Sequence, residues 1–537
     1  MQTSNTARRR VLMIGLDAAT APLIEQMMEA GELPNLQRLR DAGSYGRLES
    51  TSRYYVSSVW PSFAMGAGPE ETGCYHYLQW NPRHMKLERI KAEWMRRQPF
   101  WRTMAKQGRD VIALDVPYVT VPDRFGGIEL SGWGTHDLIF DEFVDPPELR
   151  REIVERFGES AHRRGDAMED EKYQPEPLAD RLRVRDQLLS TTKRLTELGE
   201  ALLSERPWDF ALLVLGGPHR GGHLLWDSAG ISDGDGEETD AQMQAALRQV
   251  YRAADVSVGQ WVDTAERVAG KAGQELVVFA FALHGMGPNY GRTDILPDML
   301  DRVIHERDGS DAAQKKKGLT HRVRQLLPNS VRYQVKSRLP YRLQDALAAY
   351  WRLGGIDWSN TPAVSVTADV HGYVRINLKG RERDGIVEPG AEYDALCEKL
   401  REGLLSFRDL DTSEPVAQAV HRTDELVPDE GRRDCLPDLV VQWSDVPCAQ
   451  HRAVVSDRFG RIDWPAPNKV PNGRSGNHKP DAFVIARGGG FVPGGVIDGA
   501  HMLDLPPTAW RLLGLDVPAW MRGQPIEPTD IIDGSRG

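Results

Sequence analysis

Short apolar runs alternate with longer amphipathic stretches along most of the chain. Val11–Leu16, Asp110–Val116, Phe210–Leu215, Glu275–Phe281 and Ala482–Arg487 have the length and the apolar, aromatic content of buried strands. Ala21–Ala30, Leu182–Leu203 and Asp240–Ala269 carry helical patterns, the last two flanking Phe210–Leu215. The same pattern predicts strands near Tyr45–Glu49, Ala363–Thr367, His371–Leu378 and Asp438–Gln442, and helices over Ala391–Leu405 and Pro507–Leu513. Strands alternating with helices predict an α/β fold, with the βαβ alternation resuming at Ala363. Residues 138–180, charged and polar in their second half, are expected as a surface insertion.

The informative polar residues stand where apolar runs stop. In open α/β sheets ligands gather at the carboxyl ends of the strands. Phe210–Leu215 is followed by Gly216-Gly217-Pro218-His219-Arg220-Gly221-Gly222-His223, with two imidazoles four residues apart. His219 and His223 are well placed to grip one metal ion, the glycines leaving the turn unrestricted; two surface histidines beside a flexible turn is the plainer alternative. Asp17 ends the first strand as a candidate ligand or base, or as the cap of the next helix. Val56–Gly66 predicts a helix that opens on Ser57 and Ser58, where free N–H groups stabilise an anion or the hydroxyls simply cap. His284 closes the strand Glu275–Phe281, and His478 stands in a polar cluster, Gly473–Pro480.

Composition narrows the class. A chain of 537 residues, 40% hydrophobic and 27% charged, reads as a soluble globular enzyme. The net charge of -11 argues against a general nucleic-acid partner, and no run is long enough to span a membrane. Cys74, Cys397, Cys435 and Cys448 form no CxxC pair, which fits a reduced, cytoplasmic chain. Arg8-Arg9-Arg10 imitates the start of a secretory signal, but the apolar run after it ends at Asp17 and reads as a strand, so the cytoplasm is expected. Lys315–Arg342 carries nine basic and no acidic residues. Such a run is a solvated surface segment or, within an expected insertion over 308–350, a lid that attracts an anionic substrate.

The ordered set of Gly15-Leu16-Asp17, Ser62-Phe63-Ala64-Met65-Gly66 with Pro69, His219…His223, His284-Gly285-Met286 and Asn477-His478 resembles the alkaline phosphatase superfamily. The branch it resembles is the type I phosphodiesterase / nucleotide pyrophosphatase one, and Asp504–Trp510, Gly514-Leu515 and Gly523-Gln524-Pro525 are similar to that family's closing helix and turn. The resemblance implies a doubly wound, mostly parallel sheet with helices on both faces, built as a single domain over 1–537 with inserted cap segments. It also implies two divalent metals, usually zinc, beside a Ser or Thr nucleophile. Carried over, His219, His223 and His478 would hold one metal, and Asp17 and His284 would help hold a second.

Three departures bear on the chemistry. The family usually has Asp where this chain has His219, which leaves three imidazoles, a good zinc site. It has Asp where this chain has Leu283, so the second ion should bind more weakly. Its nucleophile register, ten residues before Gly66, falls on Val56, with Ser57 and Ser58 next in the chain. The expected function is a zinc-dependent hydrolase of small-molecule phosphate esters or phosphodiesters. Attack by Ser57 or Ser58, or by water activated at the metal, stays open. A degenerate, non-catalytic binding or assembly protein and a phosphoryl-group transferase are the alternatives.

Overall fold

Strand β1 (Arg9–Leu16) is buried on both faces. Leu12, Ile14 and Leu16 enter one apolar cluster, and Val11 and Met13 enter another on the opposite side. That two-sided burial explains why the run is continuously apolar rather than alternating. β1 is central in a ten-stranded sheet with β2 (Ser44–Leu48), β3 (Val111–Leu114), β4 (Ile128–Ser131), β5 (Phe143–Asp145), β6 (Phe210–Leu215), β7 (Glu275–Ala282), β8 (Ala482–Arg487), β9 (Gly495–Val496) and β10 (Ile532–Asp533). The spatial order is β10-β9-β2-β8-β7-β1-β6-β3-β4-β5. Strands β7, β1, β6, β3 and β4 form a parallel block, and antiparallel β8 and β5 extend it on either side.

The computed structural model describes residues 9–91, 94–118, 123–136, 139–164, 177–234, 236–307, 343, 353, 356–427, 433–446, 452–464, 473–528 and 532–533. The basic run Lys315–Arg342 and Cys448 lie outside the described residues.

Helices cover both faces, a doubly wound α/β arrangement. Helices α1 (Ala21–Glu29), α2 (Pro34–Asp41), α5 (Leu178–Glu205), α6 (Gly217–Leu224) and α7 (Gly236–Ala272) pack on one side. On the other lie α3 (Val59–Met65), α4 (Phe100–Lys106) and α8 (Leu505–Leu512). Within the stretch 138–180, β5 forms the sheet edge and a helix covers Leu149–Phe157. Among the described residues no helix is long and apolar enough to cross a membrane.

The expected return of βαβ alternation after Ala363 is corrected. Strands Ala363–Val366, Gly372–Ile376, Leu439–Trp443 and Ala417–Arg422 form a separate antiparallel sheet, packed on helices Leu296–His305 and Ala391–Leu405. The cause is chain length: only residues 367–371 join the first two strands, and a parallel crossover needs a dozen or more. That short connection carries Asp369 towards the main sheet.

Registers bring the candidate residues to one edge. Leu16 pairs with Leu215, Gly15 with Phe281, and Leu114 with Leu213, so Asp17, Asp115, Gly216 and Leu283 all stand just past the strands' C-terminal ends. A two-stranded ribbon, Gly285–Pro288 with Gly476–Lys479, sets Met286 opposite His478 and closes the same edge.

Candidate active site

Gly216–His223 is the first turns of a helix rather than a loose turn. Pro218 supplies a preset φ near the start of α6, and His219 and His223 fall one helical turn apart on one face. The glycines permit close packing: a Cβ on Gly222 would lie 2.5 Å from Met286, and one on Gly476 2.1 Å from the Gly222 carbonyl oxygen. Helix α6 therefore seats directly on the ribbon that carries His478.

Ring positions follow from this packing. His478 lies 5.1 Å from His219, 4.7 Å from His223 and 4.9 Å from His284, centroid to centroid. His219, His223 and His478 each offer a nitrogen within 4.8 Å of the other two. The neighbours of His219 and His223 define which nitrogen faces inward. His223 Nδ1 donates to the Gly476 carbonyl at 3.0 Å, and Arg474 Nη1 donates to its Nε2 at 3.2 Å, so that nitrogen carries a lone pair. His219 Nδ1 faces Asp17 Oδ2 at 3.0 Å, which orients its own Nε2 lone pair the same way. The two Nε2 atoms are 3.1 Å apart. Nitrogens about 2.0–2.1 Å from a tetrahedral zinc stand roughly 3.3 Å apart, so this donor set fits such an ion. Imidazoles whose far nitrogens are held by a carbonyl and a carboxylate are the usual outer support of a metal site.

The electrostatics agree. Burial, then Arg474, holds His223 well below the usual imidazole range, and burial, then His284, does the same for His478. Burial pulls His284 down to about 4 against the opposing charge of Asp17. All three are neutral at physiological pH, the form that ligates metals. Burial alone would raise Asp17, but the facing imidazoles of His219 and His136 hold it well below the carboxylate range.

Asp17 is fully engaged. Its Oδ1 accepts from Trp60 Nε1 at 2.7 Å and stands 3.9 Å from His284 Nε2, while Oδ2 faces His219. His284 keeps a buried Nδ1 with no hydrogen-bond partner. Leu283, where the resemblance implies an acidic ligand, is fully buried in the apolar cluster with Phe63 and Phe281.

The serines differ in surroundings. Val56–Ser58 is a single 3₁₀ turn leading into α3. Ser58 is fully buried and donates to the Tyr55 carbonyl at 2.6 Å, a local bond that ties up its hydroxyl. Ser57 donates to the carboxylate of Asp369 in a short bond. The other Asp369 oxygen lies 3.4 Å from His76 Nε2. Burial would raise Asp369, but His76 and Ser57 among its neighbours hold it well below the carboxylate range.

Four residues beside the site escaped the motif reading: Asp115, His136, His76 and Asp369. Trp133 and Arg220 are both buried, and Trp133 packs in the core under the Arg194 guanidinium. Asp115 ends a strand just as Asp17 does, so the strand-end argument could have found it. Asp369 and His76 sit in irregular connections with no spacing signal.

Comparison with known proteins follows the same direction. The family model for type I phosphodiesterase / nucleotide pyrophosphatase matches residues 11–445. A search of curated proteins finds no match. Among solved structures, phosphonoacetate hydrolase from Sinorhizobium meliloti 1021 aligns over 95% of this chain and 96% of its own, at 11% identity and a TM-score of 0.48. Human ectonucleotide pyrophosphatase / phosphodiesterase 5 aligns over 96% and 97%, at 13% identity and a TM-score of 0.47. The murine form aligns over 95% and 96%, at 12% identity and a TM-score of 0.48. With its match running from the first strand to the end of the four-stranded sheet, the chain belongs to the type I phosphodiesterase / nucleotide pyrophosphatase family, a family of phosphoric-ester hydrolases.

Proposed function

We propose that the protein is a zinc-dependent hydrolase of small phosphodiesters or phosphate monoesters, with the ion held by His219, His223 and His478. The observation that carries this is the pair of Nε2 atoms 3.1 Å apart, with His223 Nδ1 bonded to the Gly476 carbonyl and His219 Nδ1 facing Asp17. When bound, zinc would polarise a phosphoryl oxygen and ease displacement at phosphorus.

The protein's own groups supply the remaining work. Asp17 orients His219, and Trp60 in turn holds Asp17 through its indole N–H. The Arg474 guanidinium, beside His223, is suited to pair with anionic phosphoryl oxygens once a cation takes the His223 lone pair. Ser57 is the better nucleophile of the two serines, because Asp369 directs its hydroxyl whereas Ser58 is bonded to its own turn. The cytoplasm belongs to the same proposal, supported by the buried thiols of Cys74 and Cys397, which are free among the described residues.

The test is elemental analysis of protein purified without chelator, with turnover of an aryl phosphodiester and an aryl phosphate. Close to one tightly held zinc per chain is expected, with metal and activity both lost in His223→Ala. Protein that takes up no zinc, or His223→Ala that keeps both metal and turnover, overturns the proposal. Zinc-loaded protein inert on a broad phosphate-ester screen would favour a binding role.

A further inference from the structure

His219 presents its two nitrogens to two different clusters. Its Nε2 faces His223, and its Nδ1 faces Asp17 Oδ2 at 3.0 Å. The same Asp17 oxygen lies 3.3 Å from His136 Nδ1. Asp17, His136 and His219 thus bring three ligand atoms within 4.8 Å of one another, and the two separations from Asp17 Oδ2 are close to the spacing around a small tetrahedral ion, about 3.3 Å.

Around His136 the fold is built to hold an imidazole. Its Nε2 lies 3.7 Å from Asp115 Oδ2. Asp115 is itself fixed, its Oδ1 accepting the backbone N–H groups of Trp133 and Gly134 at 3.0 Å each. Two glycines clear the space: a Cβ on Gly216 would stand 2.6 Å from His136 Cε1, and one on Gly134 2.0 Å from Asp115 Oδ2. A carboxylate behind one nitrogen and a ligand cluster before the other is the arrangement that supports metal-binding histidines.

We infer that Asp17 Oδ2, His136 Nδ1 and His219 Nδ1 form a second divalent-cation site of the zinc class, supported by Asp115 and joined to the three-histidine site through the His219 ring. The inference rests on the three-histidine reading above, but its ligands are not the Asp17–His284 pair that the family resemblance implies. Asp17 Oδ1, the oxygen nearer His284, already accepts the Trp60 indole N–H, whereas Oδ2 faces the two imidazoles. A second ion held there would take the place of the His219 Nδ1 proton, which would pass to solvent. The second ion would therefore bind more weakly than the first.

The test uses the full chain, stripped with chelator and titrated with Zn²⁺ alone, then with Co²⁺ to read coordination by visible absorption. Wild type should bind two equivalents, the second about tenfold or more weaker. His136→Gln and His136→Asn should each bind one, with unchanged far-UV circular dichroism and melting profile. Asp115→Asn should weaken only the second equivalent, about 10–100-fold. Wild type that binds a single equivalent, kept in His136→Gln, overturns the second site, as does His136→Gln that still binds two. A single equivalent lost in His136→Gln but kept in His223→Ala would instead overturn the three-histidine site and leave the second standing.

Discussion

Replacing Leu283 by Asp asks whether the family's missing carboxylate can be put back. Leu283 is fully buried among Val59, Phe63, Phe281 and Met502, and its carbonyl accepts the Ser50 hydroxyl at 2.6 Å. Truncating such a leucine costs about 2–5 kcal/mol. Leu283→Asp loses the same contacts and adds an unpaired buried carboxylate, a further cost of about 3–5 kcal/mol. The sum approaches the whole stability of a typical domain, about 5–15 kcal/mol. Leu283→Ala is the reference that separates lost packing from added charge. Urea denaturation of both variants, in chelator and in zinc, should show Leu283→Asp well below Leu283→Ala in each condition. An aspartate variant as stable as the alanine one, and carrying an extra zinc equivalent, would refute the reasoning, because its carboxylate would then have reached the histidine cluster.

Two more outcomes follow from the same contacts. Ser57→Ala should lower turnover of an aryl phosphodiester by several powers of ten, while Ser58→Ala should keep most activity and lose about 1 kcal/mol of stability. Acid-quench trapping of a phosphoserine checks the assignment, and equal losses in both variants would refute it. Asp438→Asn should destabilise by about 3–5 kcal/mol in denaturant melts, because the Asp438 carboxylate takes two bonds from Arg381, one from Tyr393 and one from the Ile376 N–H. Arg381 and Arg375 hold Asp438 below its ordinary value of 3.8 despite burial, so its folded form binds a proton less readily than its unfolded form. The stability it contributes is present above pH 3.8 and is lost as pH falls below that value towards the folded one. A loss under about 1 kcal/mol would make the pair no stronger than an exposed one.

The parts legible in the chain are those where local pattern and final position coincide. A strand buried on both faces is an uninterrupted apolar run, so β1, β6, β7 and β8 were placed nearly to the residue. The residues just past three of them (Asp17, His219 and His284) stood out as polar against apolar. His478 was visible as a histidine beside glycine, but its place depended on a ribbon pairing with no local mark. The antiparallel sheet has no local signature, because four short apolar strands look alike whether the connection reverses or crosses over. Only the length of the connecting loop distinguishes them. Asp369 reaches Ser57 through that sheet, and His136 reaches Asp17 through a gap left by Gly216. Neither approach has any trace in spacing, because both depend on how separate layers stack.

The ribbon that sets Met286 opposite His478 has a consequence for assembly. Helix α6 and β7 are made well before the ribbon strand Gly476–Lys479 that supplies His478. During synthesis the first two histidines emerge long before the third, and closing so long a loop is slow relative to forming local structure. A metal held by all three would therefore bind only once His478 has been made, and it would tie the segment carrying His478 to the parallel block. Bound metal would act as a clasp: opening that segment would break coordination, and losing the metal would loosen the edge where β8 joins the parallel block.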